Sequence, residues 1–123
     1  IMNSIFIPGN VPSSKNSKIW TGKFLINSKT VTKYLKFAER EYQQQAIFFK
    51  ALAEGKEFPL HVEFKFVRDS KRLFDLINAA QIVQDMMVKY NFIPDDNYTY
   101  LIPHFDPEVI IDKKNCGVYI TVL

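Results

Sequence analysis

The sequence lacks most of the motifs by which small enzymes announce their chemistry. It has one cysteine, Cys116, so an internal disulfide is excluded and no thiol has a partner at redox or metal spacing. It has no zinc pattern, no glycine-rich phosphate loop and no serine nucleophile elbow. Its two histidines, His61 and His104, carry no ligand spacing and are expected to be structural. No apolar run approaches the roughly 18 residues needed to span a bilayer, and no signal-peptide pattern is seen. A reducing cytoplasm fits these absences. Ile1 precedes Met2, which places the expected natural start at Met2. Repeats, low-complexity tracts and linkers are missing too, so the 123 residues are expected to form a single domain, 1–123.

What is present is an ordinary globular composition, 47% hydrophobic and 24% charged, with eleven Phe and six Tyr for a core. The net charge of +3 hides an asymmetry. Residues 1–50 hold eight Lys and Arg against Glu39 and Glu41, whereas residues 75–112 hold seven Asp and Glu against Lys89. A basic half for a polyanion and an acidic half for a cation would suit a nuclease. Equally, the two halves could simply attract each other in the folded domain.

The acidic half centres on Asp75 to Asp96, DLINAAQIVQDMMVKYNFIPDD. Stepping 100° per residue from Asp75 puts Asn78, Gln81 and Asp85 at about 300°, 240° and 280°. Leu76, Ala79, Ala80, Val83, Met86, Met87 and Tyr90 fall between about 20° and 140°. The spacing predicts a helix with an apolar stripe for a sheet and a polar column of carboxylates and amides. Asp95 and Asp96 follow in the next turn. Four aspartates in one segment suit a hard cation, since Mg²⁺ prefers oxygen ligands and keeps several waters. The plainer alternative is a solvated face, with Asp75 favouring the helix start by its charge. Ile77 falls at about 200°, near the edge of the stripe, where a buried carboxylate would cost several kcal/mol. Asp85 lies about 15 Å along the axis from Asp75, so a structural or dimer role is expected for it.

The basic half opens with an expected strand, Asn3–Ile7, and a polar loop, NVPSSKNSKIWTGKFLINS. Ile19-Trp20 and Phe24–Ile26 flank Gly22 and predict a small hairpin. Lys15, Lys18 and Lys23 beside Trp20 could contact phosphates and stack on a base, or form a solvated loop. Thr30 to about Ala53 is predicted to be a long helix ending at Gly55, with Lys29, Lys33, Lys36 and Arg40 outward. Leu60–Val67 alternates as a half-buried strand. The connection Arg68–Phe74 brings Lys71 and Arg72 next to Asp75. Tyr98–Ile102 is expected as a strand ended by Pro103, Phe105–Lys114 as a loop around Asp106-Pro107 with a strand end at Val109–Ile111 as the alternative, and Gly117–Leu123 as the last strand. The order predicts an α+β domain, βαβαββ, with a mixed sheet and two helices packed on it.

Lys71-Arg72-x-x-Asp75-x-x-Asn78, a helix holding a further aspartate, then Phe92-Ile93-x-Asp95-Asp96 resembles the RusA family of Holliday-junction resolvases. Pro12-Ser13-Ser14-Lys15-Asn16-Ser17 ahead of a basic loop and a long helix resembles it as well. The resemblance covers nearly the whole chain. It implies a small homodimeric, phage- or prophage-type endonuclease with Mg²⁺ as cofactor, Mn²⁺ able to substitute, and four-way DNA junctions as substrate. On that resemblance Asp75 and Asp96 ligate the metal, and Asp95 either ligates or sets the turn. Asn78 and Gln81 orient water or phosphate, while Lys15, Asn16, Lys18, Trp20, Lys23, Lys71 and Arg72 contact DNA. The family pattern has a second aspartate where this chain has Ile77, and a lysine where it has Gln81. A junction-binding protein weakened or inactive in catalysis is therefore the alternative.

Overall fold

A computed structural model describes residues 3–13, 18–23 and 25–123. Lys15 and Asn16 lie outside the described residues, as does the side chain of Lys18. The elements are β1 (Ser4–Pro8), β2 (Lys18–Trp20), β3 (Leu25–Asn27), α1 (Lys29–Ala53), β4 (Leu60–Arg68), α2 (Leu76–Lys89), β5 (Leu101–Phe105), β6 (Ile110–Ile111) and β7 (Gly117–Val122). Setting aside the separate β2–β3 hairpin and the two-residue β6, the order is the expected βαβαββ. The fold is α+β, a mixed five-stranded sheet with two helices.

The main sheet runs β1-β7-β4-β5, with β6 pairing further along β4. β7 is antiparallel to both β1 and β4, while β5 and β6 run parallel to β4. The parallel β4–β5 pair needs a crossover connection, and α2 supplies it. Alternate residues of the strands (Ile5, Ile7, Val62, Phe64, Phe66, Ile120) join Val31, Ala38, Tyr42 and Phe49 of α1 and Ala79, Val83, Met86 and Met87 of α2 in one core. Both helices therefore share one face of the sheet. Tyr34 and Tyr42 hydrogen-bond each other inside it at 2.9 Å.

Both helices are terminated by local chemistry. Ser28 caps α1 by accepting from the Val31 N–H, and Gly55 follows its end at φ 79°. α2 ends where Asn91 takes φ 64°; Phe92 N–H donates to the Met87 carbonyl at 2.8 Å and Asn91 N–H to Val88 at 3.1 Å. This pair of bonds reverses the chain and starts it back along the helix.

The strand expected at Tyr98–Ile102 is displaced. Residues 97–100 form a turn instead, because the Asn97 side chain accepts from Thr99 N–H at 2.9 Å while its carbonyl accepts from Tyr100 and Leu101. Pro103, expected to end the strand, sits inside β5 opposite Val62. It is tolerated there because β5 is an edge strand.

Candidate functional site

Asp75 is the N-cap of α2. Its Oδ1 accepts from the N–H of Ile77 at 3.0 Å and of Asn78 at 3.2 Å. This satisfies two of the donors that a helix start leaves open and leaves Oδ2 for another partner. One and a half turns on, Gln81 Nε2 donates to Asp85 Oδ1 at 2.8 Å and to Asp96 Oδ2 at 3.0 Å. One amide nitrogen thus stands between two carboxylates that the sequence separates by eleven positions. The chain reversal after α2 carries Asp96 back to the level of Gln81.

Asp95 acts inside the turn. Its Oδ1 accepts from the Asp96 N–H at 2.8 Å and its Oδ2 from Asn97 Nδ2 at 3.1 Å. Of the two roles the resemblance allows it, setting the turn is the one these bonds describe. Asn78 is half-buried in the first turns of α2, on the column that holds Gln81.

The structure therefore brings Gln81, Asp85 and Asp96 together. Among the described residues no hydrogen bond or ion pair joins Asp75 to Asp96, and no group of three or more His, Cys, Asp or Glu forms a metal-binding cluster. The partnership of Asp85 with Asp96 is the feature that sequence reasoning missed. The i, i+4 spacing of Gln81 and Asp85 was available in the helix, but Asp96 reaches them only through tertiary structure.

Asp75 also lines an open cleft of about 910 Å³. The β1–β2 loop contributes Asn10, Pro12 and Ser13, the start of α1 contributes Thr30, the end of β4 contributes Arg68, and the β4–α2 connection supplies Asp69, Ser70, Arg72, Leu73 and Phe74. Arg72 is among these residues, and Lys71 is exposed beside it. The Ser70 hydroxyl accepts from the Arg72 N–H at 3.3 Å, and Asn10 Oδ1 accepts from the Asp69 N–H at 3.0 Å, tying the two walls together. Trp20, at 65% exposed, and Lys23 project from the β2–β3 hairpin into solvent.

Two placements revise the sequence reading. Ile77 is 64% exposed, so it does not belong to the buried stripe. The first turn of a helix capped at its start has only partial cover from the sheet. The core instead reaches around α2 to Ile82 and Gln84, both buried outside the predicted stripe. His61 and His104 meet across the β4–β5 pair, with Nδ1 and Nε2 2.8 Å apart.

No family model matches the chain, and no curated protein does. No described helix is long and apolar enough to cross a membrane.

Proposed function

We propose that this chain is a RusA-like, structure-selective endodeoxyribonuclease that acts on branched DNA, four-way junctions in particular, by Mg²⁺-dependent phosphodiester hydrolysis in the cytoplasm as a homodimer. The observation that carries the reading is the polar column of α2: Asp75 at its start, then Gln81 holding Asp85 and Asp96 on one nitrogen. An all-oxygen donor set of few carboxylates fits Mg²⁺, which retains waters in the remaining positions. Asp75 and Asp96 are the residues that would hold the ion, with Asp85 brought to Asp96 by Gln81. When bound there, such an ion would supply Lewis-acid polarisation of a phosphate oxygen and a lowered pKa for the attacking water.

The side chains do the rest. Asn78, an amide on the same face, is able to orient a water or a phosphate oxygen by hydrogen bonds, while Gln81, with both Nε2 hydrogens given to Asp85 and Asp96, keeps its carbonyl oxygen to accept from a water. Lys71 and Arg72 sit just ahead of Asp75 and would contact the backbone of the strand to be cut, while Lys23 and Trp20 extend that surface. Lys15, Asn16 and Lys18 belong to the same basic loop in sequence.

A second reading is supported by Gln81 itself. A neutral amide bound to both carboxylates, in place of the lysine in the resembled pattern, fits a protein that binds junctions and turns over slowly or not at all. Nicking of a four-way junction with and without Mg²⁺ separates the two. Asp75→Asn and Asp96→Asn should abolish nicking and leave DNA binding intact. Asparagine keeps a capping oxygen at position 75, so loss of nicking there reports chemistry and not unfolding. Parental nicking by either variant would remove that residue from the site.

A further inference from the structure

The cleft beside Asp75 has a floor that the acidic column does not use. Arg68, the last residue of β4, is 8% exposed, and no other Lys or Arg among the described residues is buried. Its guanidinium lies 4.2 Å from the centre of the Phe74 ring, and Nη1 donates to the Val11 carbonyl. Among the described residues the ion pairs within 4.0 Å are those of Lys65, so Arg68 has no carboxylate partner at that range. No buried side-chain nitrogen or oxygen among the described residues lacks a partner, so the guanidinium is met by one carbonyl and a ring face and otherwise looks onto the cleft. Burial pulls its proton affinity down, and the neighbouring carboxylate of Asp69 only partly restores it.

The surroundings favour an anion. Arg72 and Lys113 line the same cleft with Ser13 and Thr30, so together with Arg68 three cations face it against the carboxylates of Asp69 and Asp75. Thr30 lies in the first turn of α1, which holds no acidic residue, so beyond the Ser28 cap no carboxylate of that turn offsets the positive end of the helix. An arginine fork matches phosphate oxygens in a planar, two-point contact.

We infer that this cleft is a phosphate-binding site with Arg68 at its floor, and that the phosphate is a backbone group of a nucleic-acid strand. The strand source rests on the proposed function. The cleft is open, and Asp75 shares its lining, so a strand seated on Arg68 would lead towards the acidic column.

The test uses the full chain without divalent cations. Binding of a labelled single-stranded oligonucleotide and a four-way junction is followed by anisotropy across a salt series, beside thermal melts in inorganic phosphate or a nucleoside monophosphate. Arg68→Met should weaken DNA binding roughly tenfold or more, as loss of a charged hydrogen-bonding group does. The salt slope should fall by about 0.7 on the single strand, or about 0.9 on the duplex arms. Lys113→Gln alters an exposed side chain and should act in the same direction more weakly, which keeps the test alive if Arg68→Met fails to fold. Arg68-dependent DNA binding in the metal-free buffer, with no junction nicking by the parental protein once Mg²⁺ is added, supports the cleft and sinks the nuclease reading. Arg68-dependent stabilisation by phosphate or nucleotide, with no DNA affinity, supports a phosphate site but overturns the strand as its source. If both variants keep the parental affinity and salt slope, and phosphate leaves the parental melting temperature unchanged, the inference is overturned.

Discussion

Ile77→Asp installs the carboxylate that the resembled pattern carries and this chain does not. Judged by helical angle alone, it should cost several kcal/mol by burying a charge. The structure changes that expectation. Ile77 is 64% exposed, so about a third of its side-chain burial is at stake, roughly 0.5–1 kcal/mol of the 1.5–3 kcal/mol for a full isoleucine. Against this, position 77 lies in the first turn of α2, which carries no acidic residue, and an added negative charge there contributes about 0.3–1 kcal/mol. Repulsion from Asp75, whose Oδ1 accepts the residue 77 N–H, reduces the gain by a similar amount at the solvated surface. The net change is about 1 kcal/mol or less, a shift of no more than about 4 °C for a chain of this size. Melts in EDTA measure that fold term. Melts in saturating Mg²⁺ measure the site: each tenfold tightening adds about 1.4 kcal/mol, so the variant should gain more from Mg²⁺ than the parent does. A fall of about 10 °C in EDTA would refute the reasoning and mean that Ile77 is covered, for example by a second copy. Equal Mg²⁺ gains in variant and parent would mean that position 77 does not face the ion.

Asp85→Asn should lower junction nicking at least about tenfold, because Asp85 shares the Gln81 amide with Asp96; unchanged nicking would return Asp85 to a structural role. Gly117→Ala should cost about 1–3 kcal/mol in urea melts, since an added Cβ would collide with the Ile7 carbonyl and the Phe6 ring where β7 pairs with β1; a neutral result would show that the strand can move aside. Burial raises the pKa of both Tyr34 and Tyr42 above the ordinary value of about 10. The unfolded tyrosines ionise first, so stability is full below about pH 10 and is lost as pH rises beyond it; Tyr42→Phe should flatten that decline while costing about 1–3 kcal/mol at neutral pH, and an equally steep decline in the variant would assign the pH effect elsewhere. Asp75→Ala should lower stability by about 0.5–2 kcal/mol while Asp75→Asn does not; equal melts for the two would deny Asp75 its capping role.

Periodicity made the two helices and the alternating strand β4 legible, because each buries one face against one core. It read the polar column correctly as far as Gln81 and Asp85, which lie on consecutive turns. It failed where burial departs from a single stripe. Ile82, at about 340°, is buried, while Ile77, at about 200°, is exposed: the stripe rule treats a helix as resting on a plane, whereas the core reaches around the middle of α2 and leaves its first turn open. Strand β5 was misplaced because Pro103 reads as a terminator, and only the topology shows an edge where proline is harmless.

The site was harder to read than the fold for a related reason. Gln81 and Asp85 are local neighbours, but Asp96 joins them only because Asn91 reverses the chain with a left-handed backbone and Asn97 folds a second turn before β5. His61 and His104 likewise become neighbours through the parallel β4–β5 register, which periodicity does not specify. Arg68 shows the same limit from the other side. In sequence it is one cation in a basic connection, less conspicuous than Lys71 or Arg72. Burial separates it from them: Phe74 and Val11 hold its guanidinium inside the fold, whereas its neighbours stay in solvent. A solvated lysine or arginine needs no partner, but a buried one does. That makes Arg68, and not the more exposed cations around it, the residue on which the character of the cleft turns.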